Sequence, residues 1–281
     1  MSENIVFISD FFAKDVLGGA ELNNEELILI LKKRNFEVLR TQSHLVDREF
    51  IEAHADCFFI ISNFTNIRSE IIDTITDSYR YVVYEHDHKY LRSRDPANYP
   101  NFKAPPDKII NLKFYQNARS VYCQSSFHSE IVKMNTGLQN IINVSGNLWS
   151  EETLSLLEEI SLMEKENCVS IMNSSINHKN TQSAVRFCQH KSKKYCLVSS
   201  GDNRDFLRRL GENDTLVFFP STPETLCRVV CEARMMGMKV ITNDLVGATK
   251  EEWFSLKGKE LVDVMREKRD TITNLVIEAV V

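Results

Sequence analysis

The sequence predicts an α/β fold with two Rossmann-like domains facing across a cleft. Short apolar runs that resemble buried strands alternate with segments of helical spacing, an order typical of parallel sheets with helices on both faces. The alternation is interrupted once, after Asn147, and then resumes. A chain of 281 residues, 43% of them hydrophobic, is long enough for two cores. We therefore predict an N-terminal domain over residues 1–148 and a C-terminal domain over residues 149–281.

The predicted N-terminal domain contains six strands joined by helices. Each apolar run is short enough to be a buried strand. The strands are expected at residues 5–9, 36–41, 57–62, 79–85, 120–125 and 140–145. The helices between them are expected at residues 19–34, 47–55, 68–78, 109–118 and 126–135.

The predicted C-terminal domain is a smaller unit of about four strands. An acidic amphipathic stretch without a strand, residues 150–167, marks the boundary. Strands are expected within residues 168–174, 194–200, 214–221 and 238–244. Helices are expected at residues 178–191, at 202–210, from Glu224 onward and at the C-terminus.

Composition narrows the class of protein. The net charge of −5 provides no basic field for nucleic acid or an anionic membrane. Seven cysteines stand singly in apolar runs without a C-x-x-C pair, which is typical of reduced thiols in the cytosol. The first residues lack the features of a signal peptide, and no apolar run approaches the about 18 residues of a spanning helix. We expect a soluble, cytoplasmic protein with no transmembrane segment and no nucleic-acid partner.

The candidate site residues lie where strands give way to helices, because ligands of such sheets bind beyond the carboxyl ends of the strands. Gly18 and Gly19 precede the first helix, where a ligand can approach the backbone and free N–H groups favour an anion. A tight turn explains the two glycines equally well. The full G-x-G-x-x-G fingerprint is missing, which disfavours a nicotinamide or flavin site.

The second junction is the polar sequence EHDH, residues 85–88, after the fourth strand. Such a cluster suits an acid, a base or a hydrogen-bond donor to a transition state. His86 and His88 with Asp87 could instead bind a metal, although no third partner is identifiable, and a solvated loop is the other alternative. The long loop that follows, with Arg92 and Arg94, is typical of a binding or lid segment.

Two further junctions belong to the second domain. Lys179 stands at a helix entrance, a position that suits a phosphate, although a lone lysine is usually solvated. Glu224 is expected in the first turn of a helix and Glu232 about two turns later, so that eight positions leave them about 80° apart and facing one cleft. The helix dipole alone explains Glu224. Glu232 lies among apolar residues and needs a partner, which sugar or ribose hydroxyls could supply.

The stretch PSTPETLCRVVCEARMMGMKVIT resembles the E-x7-E region of retaining glycosyltransferases with the GT-B fold, and is similar to glycosyltransferase family 4. Other motifs occur in the family's order: LGGAE, EHDH, VYCQSSFHSEIVK, VSGNLW and the turn ending in Lys179. The resemblance spans residues 5 to about 250. It implies a closing helix that crosses back to the first domain, a role that residues 261–281 could fill in reduced form.

The resemblance also implies roles for individual residues. Glu224 would face the donor sugar, and His86 would lie beside that sugar; these two are the expected catalytic residues. Glu232 would hold the ribose of the donor nucleotide. Lys179 would neutralise the departing diphosphate, and Gly18 with Gly19 would approach the diphosphate or the acceptor. Members of the family typically work without a metal.

The chain departs from the family pattern at other donor-site positions. Ser174 stands where an arginine is usual, which removes one phosphate cation. Thr225, Leu226 and Cys227 replace the usual Gly-Phe-Gly, and Arg228 could compensate for the lost backbone approach. Ser174, Thr225, Leu226 and Arg228 are therefore expected donor-binding positions with altered contacts.

The resemblance implies a retaining glycosyltransferase that moves a sugar from a nucleoside diphosphate to an acceptor hydroxyl. A UDP-sugar is the default donor and co-substrate, no other cofactor is expected, and the acceptor is a glycan or another hydroxyl compound. The alternatives are a nucleotide-sugar epimerase and a weakly active or inactive nucleotide-sugar-binding protein on the same scaffold. The missing arginine and glycines favour the binding protein, whereas the joint presence of His86, Lys179, Glu224 and Glu232 favours the enzyme.

Overall fold

The computed structural model describes residues 4–281, which form two compact units. The first unit comprises the chain up to Leu148 together with Arg269–Val281, and the second comprises Trp149–Lys268. The first three residues, part of the segment used to argue against a signal peptide, lie outside the described residues. No helix in residues 4–281 is long and apolar enough to cross a membrane.

A six-stranded parallel sheet forms the centre of the first unit, with strand order β2-β1-β3-β4-β5-β6. All six predicted strands are present: β1 Asn4–Ser9, β2 Glu37–Gln42, β3 Phe58–Ile61, β4 Tyr81–Tyr84, β5 Val121–Cys123 and β6 Ile141–Asn143. Alternate residues of β3 and β4 belong to separate apolar clusters on the two faces of the sheet. Every residue of these strands is therefore buried, which explains their continuous apolar sequences.

Five helices connect these strands. They are α1 Gly19–Lys33, α2 Arg48–Ala53, α3 Ser69–Ser78, α4 Leu112–Asn117 and α5 Ser126–Thr136. Side chains cap two of them: Asp47 accepts a hydrogen bond from the N–H of Phe50, and Ser125 accepts one from the N–H of His128. Helix α1 buries the polar residues Asn23 and Asn24 completely, which sets it apart from an ordinary amphipathic helix.

The second unit has a four-stranded parallel sheet with strand order β10-β9-β7-β8. The strands are β7 Glu166–Met172, β8 Tyr195–Val198, β9 Asn213–Phe218 and β10 Lys239–Thr242, as predicted. Its helices are α6 Glu151–Ser161, α7 Thr181–His190, α8 Asn203–Gly211 and α9 Arg228–Met235. Helices α6, α8 and α9 share one apolar cluster with the sheet. The α/β class predicted from the sequence is confirmed in both units.

The last helix, α10 Lys259–Val280, runs from the second unit into the first. Arg269 pairs with Glu26 of α1 at 2.7 Å. The hydroxyl of Tyr122 donates to the carbonyl of Leu275 at 2.7 Å. The sequence alone placed residues 149–281 in one domain, whereas these contacts fasten the end of α10 to the first unit.

Candidate functional site

Lys179 and Glu224 form an ion pair at the carboxyl end of the second sheet. The Nζ atom of Lys179 lies 2.7 Å from Oε1 and 3.0 Å from Oε2 of Glu224. Only 23% of the lysine side chain and 12% of the glutamate side chain are exposed. Burial lowers the pKa of Lys179, but the Glu224 carboxylate outweighs burial and raises the pKa above its ordinary value. Lys179 is therefore a desolvated cation that stays charged.

Backbone contacts hold this ion pair in place. Lys179 ends a short 3-10 turn after β7, and Asn180 has a φ of 54°, which separates that turn from α7. The N–H of Ser221, after β9, donates to the carbonyl of His178 at 2.9 Å. The N–H of Glu224 donates to the carbonyl of Leu245 at 2.8 Å, beside the segment that follows β10. The loops after three strands thus converge on the pair.

The prediction that Glu224 and Glu232 share one helix is wrong. Helix α9 begins at Arg228, and Cys227 before it has a φ of 79°, a left-handed conformation that a helix cannot pass through. Glu224 lies in an extended segment that pairs with Val246. The predicted angle of about 80° between the two carboxylates around a helix axis therefore has no meaning here.

Glu232 has protein partners, so its burial needs no ligand to explain it. Its Oε1 atom accepts a hydrogen bond from the indole N–H of Trp149 at 2.9 Å. The guanidinium of Arg228 lies 4.4 Å above the Trp149 ring, and its Nε is 3.5 Å from the same carboxylate oxygen. Glu232 is only 5% exposed. The sequence alone did not indicate a role for Trp149, although this residue ends the motif VSGNLW.

The remaining donor-site positions of the second unit serve structural contacts. The N–H of Ser174 donates to Oγ1 of Thr181 at 3.1 Å, and its own Oγ accepts from the N–H of Ile176 at 3.2 Å. The side chain of Leu226 packs in the apolar core, so only its backbone could meet a ligand. Thr225 is half-buried between Glu224 and that core residue. Ser174 therefore offers a hydroxyl where the resemblance implies an arginine.

The glycines of the first unit are covered by an acidic side chain. Helix α1 begins at Gly19, and a β-carbon built on Gly18 would lie 2.1 Å from Oε2 of Glu21. Burial raises the pKa of Glu21, while a backbone hydrogen bond opposes the rise. Gly18 has a φ of −108°, which any residue adopts, so a β-carbon here would disturb only the flexible side chain of Glu21. A carboxylate of the helix itself thus occupies the turn that was expected to receive an anion.

His86 is held through both ring nitrogens. Asn24 donates its amide to Oγ of Ser62 at 2.9 Å, so its Oδ1 accepts from Nε2 of His86 at 2.8 Å. The Nδ1 atom of His86 then accepts from the amide of Gln124. The ring stacks on Tyr84 with centroids 5.1 Å apart. With Asn24 and Gln124 oriented in this way, Nε2 of the ring is the donor and Nδ1 is the acceptor.

A buried charge network adjoins His86, and sequence analysis named neither its lysine nor its tyrosine. Lys89 contacts Glu85 at 2.5 Å and Asp87 at 2.6 Å, and the hydroxyl of Tyr115 donates to Glu85. Asp87 also accepts from Nε of Arg94 at 3.0 Å. Burial raises the pKa of Glu85 to about 7. Burial also acts to raise the pKa of Asp87, but the two cations outweigh it and hold that pKa well below its ordinary value.

The two histidines of the possible metal site, His86 and His88, contact different partners. The Nδ1 atom of His88 lies 2.9 Å from the hydroxyl of Tyr90, whereas His86 binds Asn24 and Gln124. Within residues 4–281 no group of three or more His, Cys, Asp or Glu side chains is arranged to hold a metal ion. The geometry gives no support to a metal at residues 86–88.

Comparison with known proteins yields structural likeness only. No protein-family model matches the chain, and no curated protein matches it in sequence. The HepE protein of Anabaena, solved with UDP and glucose, aligns with a TM-score of 0.52 and 14% identity over 96% of this chain and 92% of its own. The catalytic domain of starch synthase IV from Arabidopsis thaliana, bound to ADP and acarbose, aligns with a TM-score of 0.54 and 10% identity over 97% and 92%.

An alpha-glucosyltransferase in complex with UDP and a 13-mer DNA containing a HMU base aligns with a TM-score of 0.52 and 11% identity, over 98% of this chain and 91% of its own. Structural similarity at sequence identities this low shows a shared fold. The function must be argued from the residues of the site. The predicted fold class, with two Rossmann-like domains of the GT-B type, is confirmed.

Proposed function

We propose that the chain is a retaining glycosyltransferase, which transfers a sugar from a nucleoside diphosphate to an acceptor hydroxyl. The observation that carries the proposal is the ion pair of Lys179 and Glu224 at the carboxyl end of the second sheet. Ligands of parallel α/β sheets bind at that end. Proteins of the same fold have been solved with UDP or ADP, whose diphosphates need a cationic partner.

Lys179 is suited to receive the diphosphate. Its ammonium is already largely removed from water, and the Glu224 carboxylate keeps it charged. A phosphate that replaces this carboxylate exchanges one oxyanion for another, so little further desolvation of the ammonium is needed. The cation is thereby preorganised for the negative charge that develops as the bond between sugar and phosphate breaks.

The two glutamates then take different parts in donor binding. Glu224, released from Lys179, would be available to hydroxyls of the donor sugar. Glu232 uses Oε1 for Trp149, and no hydrogen bond from residues 4–281 reaches its Oε2, the acceptor that we assign to the ribose. Arg228, stacked on the same indole, steadies Glu232 rather than replacing the lost glycines. Ser174, Thr225 and Leu226 would contribute through their backbones.

The roles of the first-unit residues are proposals of the same kind. Glu21 covers the N-terminal turn of α1, and a diphosphate or acceptor oxyanion would displace its carboxylate from Gly18 and Gly19. His86 is assigned to a position beside the donor sugar, where a sugar hydroxyl would have to replace the Gln124 amide at Nδ1 to form a hydrogen bond with the ring. A UDP-sugar is the proposed donor. Because Lys179 supplies the positive charge, transfer should continue in the presence of a chelator.

Calorimetric titration with UDP, GDP and ADP tests the donor site. One of these should bind the wild type, and Lys179→Ala should weaken that binding about 10- to 100-fold, because a charge-assisted hydrogen bond to phosphate is lost. Lys194→Ala is the matched control, since Lys194 pairs with Glu166 at 3.1 Å on the exposed surface of the same unit. Equal nucleotide affinity in the wild type, Lys179→Ala and Lys194→Ala would show that Lys179 does not belong to the donor site.

A nucleotide-sugar-binding protein without turnover is the second candidate. Ser174 favours it, because this residue engages only its own turn and offers no second cation to a leaving diphosphate. Release of UDP from a UDP-sugar in the presence of acceptor hydroxyls separates the two candidates. Donor affinity without release would support the binding protein.

A further inference from the structure

Residues 64–72 and 89–111 of the first unit line a cavity that is open to solvent and that the proposed donor site does not use. The cavity has a volume of about 280 Å³ and is called the loop cavity below. The apolar part of its lining comprises Phe64, Ile67, Ile72, Leu91 and Ile110. The space is large enough for one sugar ring or one aromatic ring with a small substituent.

The lining of the loop cavity also contains cations. Lys89, Arg92 and Arg94 line the cavity, and no carboxylate does. The acids that neutralise two of these cations, Glu85 and Asp87, are not among the lining residues. Two of the three cations are thus paired with acids outside the lining, and the third, Arg92, gives the lining an excess of positive charge that favours an oxyanion.

Arg92 is the cation that is available to a ligand. Its side chain makes no ion pair or hydrogen bond within residues 4–281, whereas Arg94 is committed to Asp87. The neighbouring carboxylate of Asp107 pairs instead with Lys108 at 2.8 Å. The guanidinium of Arg92 is exposed and has no ion-pair partner within residues 4–281, and its planar fork fits two oxygens of a singly charged carboxylate or phosphate.

The loop that lines the cavity contains two residues with left-handed backbone, and contacts within the loop hold it in place. Arg94 and Asn111, both lining residues, have φ angles of 56° and 55°. Leu91 and Ile109 form an antiparallel bridge, and the side-chain amide of Asn111 donates to the carbonyl of Lys89 at 3.2 Å. Left-handed residues that the surrounding structure holds in place are concentrated at ligand sites.

We propose that the loop cavity is an acceptor subsite for a compound whose ring carries a singly charged oxyanion. The ring would pack against the apolar part of the lining, and the carboxylate or phosphate would bind Arg92, with Arg94 and Lys89 behind it. The proposal rests on the proposed glycosyltransferase function, which it narrows to acidic acceptors.

The experiment compares glucuronate, glucose 6-phosphate and glucose by ligand-observed NMR, with UDP titrated separately. Glucuronate or the sugar phosphate should bind and glucose should not, and the two acids show whether the oxyanion is a carboxylate or a phosphate. Arg92→Gln should weaken acid binding about tenfold, because a charged hydrogen bond is lost, and leave UDP affinity unchanged. Arg48→Gln, an exposed arginine of the same unit, is the control.

The outcomes separate this inference from the proposed function. Acid binding that Arg92→Gln leaves intact, or equal binding of glucose, would overturn the subsite even if UDP binds. Acid binding that needs Arg92 in a protein that binds no nucleotide would retain the subsite and overturn the donor assignment. If neither acid binds while UDP does, the acceptor is not of this class.

Discussion

Replacement of Glu224 by glutamine should strengthen the binding of UDP while it weakens catalysis. In the free protein the carboxylate of Glu224 occupies Lys179 through both oxygens, at 2.7 and 3.0 Å. A diphosphate must displace that carboxylate before it reaches the ammonium. UDP carries no sugar for Glu224 to contact, so for UDP the glutamate acts only as a competitor.

The size of the effect follows from the burial of the pair. Exposed ion pairs contribute up to about 1 kcal/mol, and the loss of one partner of a fully buried pair costs about 3 to 5 kcal/mol. With 23% and 12% of the side chains exposed, the Lys179–Glu224 pair lies between these cases. If about 1.4 kcal/mol of this interaction is lost on exchange, Glu224→Gln should bind UDP about tenfold more tightly.

Titration calorimetry with UDP measures this difference directly, and the rate of UDP release from a UDP-sugar measures catalysis. Glu166→Gln is the control, because it breaks an exposed pair with Lys194 in the same unit. That control should change neither quantity. Weaker UDP binding by Glu224→Gln would show that Glu224 helps to hold the nucleotide, and the competition argument would be refuted.

Variants at three other residues test further parts of the assignment. Glu232→Ala leaves the buried indole N–H of Trp149 without an acceptor and should cost about 1 to 3 kcal/mol of unfolding free energy, seen as a lower urea midpoint. Glu232→Gln keeps an acceptor and should cost less; an equal loss would contradict this reading. His86→Ala should slow transfer without altering the circular dichroism spectrum, and wild-type turnover would return His86 to a structural role. Burial lowers the pKa of His88 from 6.5 to about 4, so the neutral ring stabilises the fold above pH 6.5 and about 3 kcal/mol is lost as the pH falls towards 4. Glu85, with its pKa raised to about 7, acts in the opposite direction, and its contribution is lost as the pH rises from 4.5 to 7. The unfolding free energies of His88→Asn and the wild type should therefore be compared as a function of pH. An identical pH dependence in the two proteins would contradict the role of His88.

The parts of the fold that local sequence specifies were predicted well. Strands such as β3 and β4 are buried on both faces, so each residue must be apolar and the run is visible in the sequence. The position of Lys179 at a helix entrance and the burial of Glu232 were also visible, because both depend on neighbours along the chain.

Contacts between distant segments decided the rest. The partner of Glu232 is Trp149, 83 positions away, and that of Lys179 is Glu224, 45 positions away, distances over which periodicity carries no information. The start of α9 depended on the left-handed Cys227, a residue buried in the core of the second unit. The return of α10 to the first unit likewise arises from burial of its apolar face against a sheet formed from the first half of the chain. The sequence by itself therefore determined which segments are strands and helices, because the burial of each segment is visible in the pattern of its own apolar residues. Only the tertiary structure decided which charges meet, because Lys179 and Glu224 come together where separate strands of one sheet end side by side.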